Sequence, residues 1–125
     1  MHIKELTKAE EQVMQILWQL KQAMVKDIIE EMPEPKPAYN TVSTVVRVLE
    51  GKGVIGHKAY GNSHVYFPLV AETDYKKFTF DKMMTSYFSN SYHSLVSFLV
   101  REKKLSIEEL EELTQLAEKL KNKQA

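Results

Sequence analysis

The 125 residues predict a mainly α chain with one small β-hairpin. Three observations carry this. Apolar residues recur at helical spacing through most of the chain. Two alternating runs, 54–60 and 64–69, flank the turn triplet Gly61-Asn62-Ser63. No further strand pattern follows Leu69, where aromatic and aliphatic residues become dense.

The first helix opens at Thr7 and Glu10, whose spacing is that of a capping box: each can satisfy the other's backbone amide. Leu6, Ala9, Val13, Ile16, Leu17 and Leu20 then form a stripe about 100° wide. Met14 and Trp18 fall off that stripe and call for a second packing surface. Residues 25–32 form a short second helix, with Val25, Ile28, Ile29 and Met32 inward. Pro33, Pro35 and Pro37 each remove an amide donor and restrict the preceding residue, so a stiff extended linker is expected.

The third helix starts near Tyr39, with Asn40 or Thr41 as N-cap. Gly51 and Gly53 end it, since the terminating residue often needs a positive φ. Its two faces differ. Val42, Val45, Val46 and Leu49 fall within roughly 100° of one another, whereas Asn40, Ser43, Thr44 and Arg47 gather opposite. One face is a β-branched core stripe. The other is short, hydrogen-bonding and cationic, as a helix lying in a DNA major groove needs. Three helices closed by a hairpin make a winged helix-turn-helix, in which the third helix enters the groove. The hairpin carries Lys58, Asn62, Ser63 and His64 at or near its tip, suited to phosphate or the adjacent minor groove. Pro68 suits an edge strand.

Segments 71–89 and 91–104 are apolar-rich, and the last helix, 106–122, begins with a second capping box at Ser106 and Glu109. Ile107, Leu110, Leu113, Leu116, Ala117 and Leu120 cover about half of its wheel, more than one partner helix requires. About fifty residues without disulfide or metal bury too little to be stable alone. The expected architecture is therefore a winged-helix DNA-binding domain, 1–70, and a three-helix dimerisation domain, 71–125. The dimer surface is expected from Tyr87, Phe88, Leu95, Phe98, Leu99, Leu110, Leu113, Leu116 and Leu120. A two-fold dimer would read two half-sites about one helical turn apart, or a multiple of that.

Composition sets bounds on function. A charged content of 27% and hydrophobic content of 43% are ordinary for a globular domain. No apolar run approaches the ~20 residues of a membrane span, and the opening MHIKELTKAEE turns charged at once, unlike a signal peptide. With zero Cys there is no disulfide or thiolate site, which suits a cytoplasmic location. His2, His57, His64 and His93 lack paired metal-ligand spacing, and His57 and His64 read as wing residues. No metal or cofactor is expected. The net charge is zero, but its distribution is uneven. Residues 1–35 hold four Lys against seven Asp and Glu, a balance of −3, whereas 36–68 hold Lys36, Arg47, Lys52 and Lys58 against Glu50, a balance of +3. The positive charge falls on the third helix and wing, pointing to a polyanion.

These residues resemble the penicillinase and methicillin-resistance repressors, a family that also includes copper-responsive repressors. The likeness rests on Leu6-Thr7-x-Ala9-Glu10-x-x-Val13-Met14 with Leu17-Trp18, Tyr39-Asn40-Thr41-Val42-Ser43-Thr44, Leu49-x-x-Lys52-Gly53, His57-Lys58, Gly61 and Tyr66-Phe67-Pro68-Leu69. A weaker match continues through Ser94-Leu95-Val96 and Leu105-Ser106-x-Glu108-Glu109. It implies a homodimeric repressor on a palindromic double-stranded DNA operator, contacted by Tyr39, Asn40, Thr41, Ser43, Thr44, Arg47, Lys52 and the wing. It also implies a membrane-bound sensor protease that answers β-lactam and leads to cleavage in the dimerisation domain. Three departures stand out. The family's helix-three Arg falls one residue later, at Val48, and one residue rotates a helical side chain by about 100°. The family's Asn-Phe scissile bond corresponds to Leu95-Val96-Ser97-Phe98-Leu99, which has no Asn and leaves Ser97-Phe98 as the candidate. Copper sensing through cysteines is excluded.

Two other functions compete. A winged helix can serve as a protein-interaction module, but such a face would favour aromatics over small polar residues. An enzyme lacks its parts: no nucleophile–base–orienter set, phosphate-cradling glycine loop or metal cluster is legible.

Overall fold

The structure, a computed structural model, describes residues 3–124, with side chains to residue 123. His2 lies outside the described residues. Six helices and one hairpin follow in the order α1 (Lys8–Leu20), α2 (Val25–Glu30), α3 (Tyr39–Gly51), β1 (Ile55–Tyr60), β2 (Ser63–Pro68), α4 (Glu72–Phe88), α5 (Tyr92–Arg101) and α6 (Ile107–Gln124). They form two compact units, the first ending at Thr79 and the second beginning at Phe80, so that α4 contributes to both.

In the first unit, α1 starts on the expected capping box. Thr7 Oγ1 accepts from the Glu10 amide at 3.2 Å, and Glu10 Oε1 accepts from the Thr7 amide at 2.8 Å. Val13, Met14, Ile16 and Leu17 are buried with Leu6. Ala9, expected in that stripe, is exposed, and Glu10 is buried instead. What the first turn sets inward is thus a carboxylate, partnered by Lys52 at the C-cap of α3. The residues off the stripe have their second surface. Met14 is completely buried, and the Trp18 indole packs 5.9 Å from the Tyr75 ring while its N–H donates to the Val70 carbonyl at 2.9 Å.

The proline segment leaves α2 at Glu30, two residues before the expected end, although Met32 remains buried. Lys36 Nζ then donates to the Glu30 and Met32 carbonyls, each at 2.7 Å, and satisfies acceptors at the α2 end. The N-cap of α3 is Ala38, not Asn40 or Thr41. Ala38 is extended after Pro37, and the amides of Thr41 and Val42 already bond to its carbonyl, so the helix has begun at Tyr39. Val42, Val46 and Leu49 are buried and Val45 is half-buried against the same core. At the other end Gly53 takes φ +78°, and the Val54 amide reaches back to the Leu49 carbonyl at 3.1 Å.

β1 and β2 pair antiparallel around a two-residue turn, Gly61-Asn62. Ser63, expected in the turn, is already on β2 opposite Tyr60. The register puts Ile55, His57, Ala59, His64 and Tyr66 on one face and Gly56, Lys58, Tyr60, Ser63, Val65 and Phe67 on the other. On its free side β2 gains an antiparallel bridge from Ala23, whose amide and carbonyl bond those of Tyr66 at 3.0 and 2.8 Å. That bridge ties the α1–α2 connection to the wing. Val54, Ile55, Tyr66, Val70 and Tyr75 complete the core.

In the second unit Phe80 stacks with Tyr92 and Phe88 meets Phe98 edge-on, their centroids 6.3 and 5.7 Å apart. Ser91 caps α5 by accepting from the Ser94 amide. Ser106 and Glu109 form the second expected capping box, at 3.0 and 3.1 Å. Much apolar surface here is uncovered, most of all Tyr87, with Phe98, Leu113, Leu116 and Leu120 about half exposed. Phe88, Leu95, Leu99 and Leu110 are half-buried. No helix among the described residues is long and apolar enough to cross a membrane.

Candidate nucleic-acid interface

The core stripe of α3 decides what its other face presents. With Val42, Val46 and Leu49 inward, the turns between them carry Tyr39, Asn40, Thr41, Thr44 and Arg47 exposed and Ser43 half-buried. Thr44 Oγ1 donates to the Asn40 carbonyl at 2.8 Å. This leaves the hydroxyl's lone pairs outward and its proton committed to the helix.

The hairpin rises beside this helix, and the two enclose a groove of about 440 Å³. Tyr39, Ser43 and Arg47 line it from α3, and Asn62, Ser63, His64 and Tyr66 from the hairpin. Met24, Val25 and Lys26 close it from the start of α2. Six of the eleven residues expected at the interface therefore meet around one opening. Lys26 was not anticipated. It sits on a short helix whose sequence shows only a buried stripe, and it reaches the groove because the Ala23 bridge brings the α2 start against the hairpin.

Other expected residues lie elsewhere. Asn40, Thr41 and Thr44 are on the exposed face of α3 outside the groove lining. Lys58 is on the opposite face of the hairpin from His64. The Lys52 ammonium sits 2.9 Å from both carboxylate oxygens of Glu10. Of the four cations in the basic segment, Lys36 and Lys52 are thus engaged by helix-end carbonyls and a carboxylate. Arg47 and Lys58 remain exposed on the interface elements.

Below the groove lies a small titratable cluster. His57 Nδ1 is hydrogen-bonded to Glu50 Oε2, joining β1 to the last turn of α3. The His57 and His64 rings stack at 4.4 Å with a 17° tilt, and Tyr66 stands 5.6 Å from His57. Burial pushes the Tyr66 hydroxyl above its ordinary range, with Glu50 and Tyr39 adding to the effect and Arg47 opposing it. The polar groups of α3 and the hairpin are therefore close enough to feel one another. No group of three or more potential metal ligands occurs among the described residues.

Comparison with known proteins extends this picture. The methicillin resistance regulatory protein MecI of Staphylococcus aureus strain N315 is 34% identical over 116 residues, 92% of this chain and 94% of that protein. The penicillinase repressor of Bacillus licheniformis is 27% identical over 122 residues, covering 97% of this chain and 95% of the relative. The solution structure of the DNA-binding domain of the repressor BlaI covers 59% of this chain and 92% of its own, with a TM-score of 0.52 and 28% identity. Monomeric BlaI of Bacillus licheniformis, solved in complex with the blaP half-operator, aligns over the same shares with a TM-score of 0.50. The penicillinase repressor family profile matches residues 6–119, from the α1 capping box to the penultimate turns of α6, and the chain belongs to that family.

Proposed function

We propose that this protein is a DNA-binding transcriptional repressor that sets α3 and the hairpin on duplex DNA. The observation that carries the reading is the shared groove, where Arg47, Lys26, Ser43, Asn62, Ser63 and His64 converge from three elements. Cations and short hydrogen-bonding side chains on one concave face suit phosphates and base edges. Arg47 is the residue for a base edge, because a guanidinium can donate two parallel hydrogen bonds to guanine. Lys26 and the wing serve phosphates. Asn40, Thr41 and Thr44 extend the contact along α3, and Lys58 meets backbone from the outer face of the wing. Lys52 acts through the fold by holding α3 to α1. The operon regulated is of the β-lactam-resistance type, as the relatives' names suggest, and the protein has no catalytic role.

The reading includes a homodimer on a palindromic operator, supported by the second unit, whose uncovered Leu113, Leu116 and Leu120 lie on one face of α6. The affinity of one winged helix is modest, so separating the two copies would release DNA. Cleavage at Ser97-Phe98 by a membrane-bound sensor protease would do so. That bond is inside α5, where the Ser97 carbonyl accepts from Arg101 Nε at 3.4 Å, so α5 must open locally before a protease can bind it extended.

Selection of binding sites from randomised duplex DNA at about 150 mM salt tests the reading. A two-fold symmetric motif with half-sites about one turn apart, or a multiple, is expected. No enrichment by folded, dimeric protein would refute it in favour of a protein-interaction module.

A further inference from the structure

The cluster of Glu50, His57 and His64 has no part in the contacts assigned above apart from His64 itself, yet it connects the recognition helix to the groove wall. Glu50 holds His57 from α3, His57 stacks on His64 across the hairpin, and His64 faces the groove. Imidazole is the side chain whose charge ordinarily changes between pH 5 and 8. The charged and titratable groups around the pair are Glu50, Arg47 and Tyr39 on α3, Lys26 on α2 and Tyr66 on β2. The fixed charges among these are two cations and one carboxylate, a balance of +1, which two charged imidazoles would raise to +3.

We infer that the grip of this groove on DNA is linked to proton uptake by the His57–His64 pair, with Glu50 as the positioning residue. This rests on the DNA-binding reading and adds its regulation. The Glu50 carboxylate is hydrogen-bonded to the His57 ring and faces it with the charge opposite to that of an imidazolium. A proton on each ring would place like charges in stacked rings 4.4 Å apart, which repel one another. A DNA phosphate in the groove offsets that repulsion and favours the doubly charged pair. By reciprocity, acidification must then tighten DNA binding.

The test is DNA affinity of the full chain between about pH 8 and pH 6, read by fluorescence anisotropy on a random-sequence duplex of about three turns at fixed low salt. Affinity should rise with falling pH, approaching tenfold per pH unit where one proton is taken up. His57→Gln and His64→Gln should each flatten the slope, and His93→Gln, in the second unit, should leave it unchanged. Glu50→Gln should alter the slope, because the carboxylate that holds the His57 ring is lost. The slope separates this role from a structural one, because lost packing lowers affinity equally at every pH. Binding that is independent of pH, or a slope that survives His57→Gln and His64→Gln together, would overturn the proton linkage while leaving the DNA-binding reading intact. Absence of binding to random and selected duplexes at both pH extremes would bring down both.

Discussion

The Lys52 ammonium lies 2.9 Å from each carboxylate oxygen of Glu10, fastening the C-cap of α3 to the first turn of α1 across 42 residues of sequence. Glu10 Oε1 also accepts the Thr7 amide that opens α1. One buried carboxylate thus completes the cap of α1 and holds the end of α3 against it. Lys52→Met should destabilise the first unit by about 1–3 kcal/mol, the range for leaving a buried polar group short of a partner. The partly exposed ammonium places the cost below that of breaking a fully buried pair. Thermal unfolding followed by Trp18 fluorescence, the chain's single Trp, should show a melting temperature lower by several degrees.

The same pair makes stability depend on pH. Burial pushes the Glu10 carboxyl up, but hydrogen bonds from Lys52 and Thr7 and the ammonium charge outweigh it and hold the carboxyl below its ordinary value of 4.5. A carboxyl with a lower folded than unfolded value stabilises the fold above the unfolded value. That contribution is lost as pH falls through the folded one. Glu10→Gln should therefore melt lower than the native chain at about pH 7, and the gap should close as the pH approaches about 3. A gap that stays constant across this range would show that Glu10 acts through shape alone.

Tyr75 joins α4 to the segment before α1. Its hydroxyl accepts from the Leu6 amide at 3.2 Å and donates to Glu11 Oε2 at 3.1 Å, while its ring packs on Trp18. Tyr75→Phe keeps the ring and leaves a buried amide unpaired, so it should lower stability by about 1–3 kcal/mol in urea unfolding. Tyr75→Ala, which also removes the ring, should cost about 3–5 kcal/mol. Equal losses in the two variants would mean that the hydroxyl does nothing.

What the sequence revealed follows from the range of each interaction. Capping boxes at Thr7/Glu10 and Ser106/Glu109, the α3 stripe and the hairpin are set by residues within a few positions of one another, and all were legible. The Ala23 bridge to Tyr66, the Glu10–Lys52 pair and the approach of Lys26 to the groove join distant segments and leave no local period to read. Charge counting had the same blind spot. It credited Lys36 and Lys52 to a basic surface, because the carbonyls and the carboxylate that engage them are brought there by the fold. Asn40 and Thr41 are good capping types, but the extended backbone after Pro37 puts the α3 cap at Ala38, two residues before Asn40 and three before Thr41.

Arg47 and Lys26 should separate under mutation. Arg47→Ala should weaken binding to a selected site by about 1–3 kcal/mol and relax preference at one base position. Lys26→Ala should weaken binding to all duplexes alike and reduce the slope of log affinity against log salt by about 0.9. Affinities across several salt concentrations on selected and scrambled duplexes distinguish the two. A shift in base preference on removing Lys26 would contradict its phosphate role.

The second unit should respond to a charge on α6 without disturbing the first. Leu113, Leu116 and Leu120 are 49%, 50% and 50% exposed, one helical face at i, i+3 and i+7 spacing. Glu108, Glu111 and Glu112 occupy other positions of the same helix. A buried glutamate facing a second copy would lack a counter-charge, so Leu116→Glu should weaken self-association at least tenfold, measured by sedimentation equilibrium. Trp18 reports the first unit, and its fluorescence spectrum at a concentration where both proteins are monomeric should not change. DNA affinity should nonetheless fall steeply for a two-half-site duplex and little for a single half-site, because what is lost is the coupling between copies. Equal losses on both duplexes would place the damage in the DNA-contacting surface rather than in the dimer.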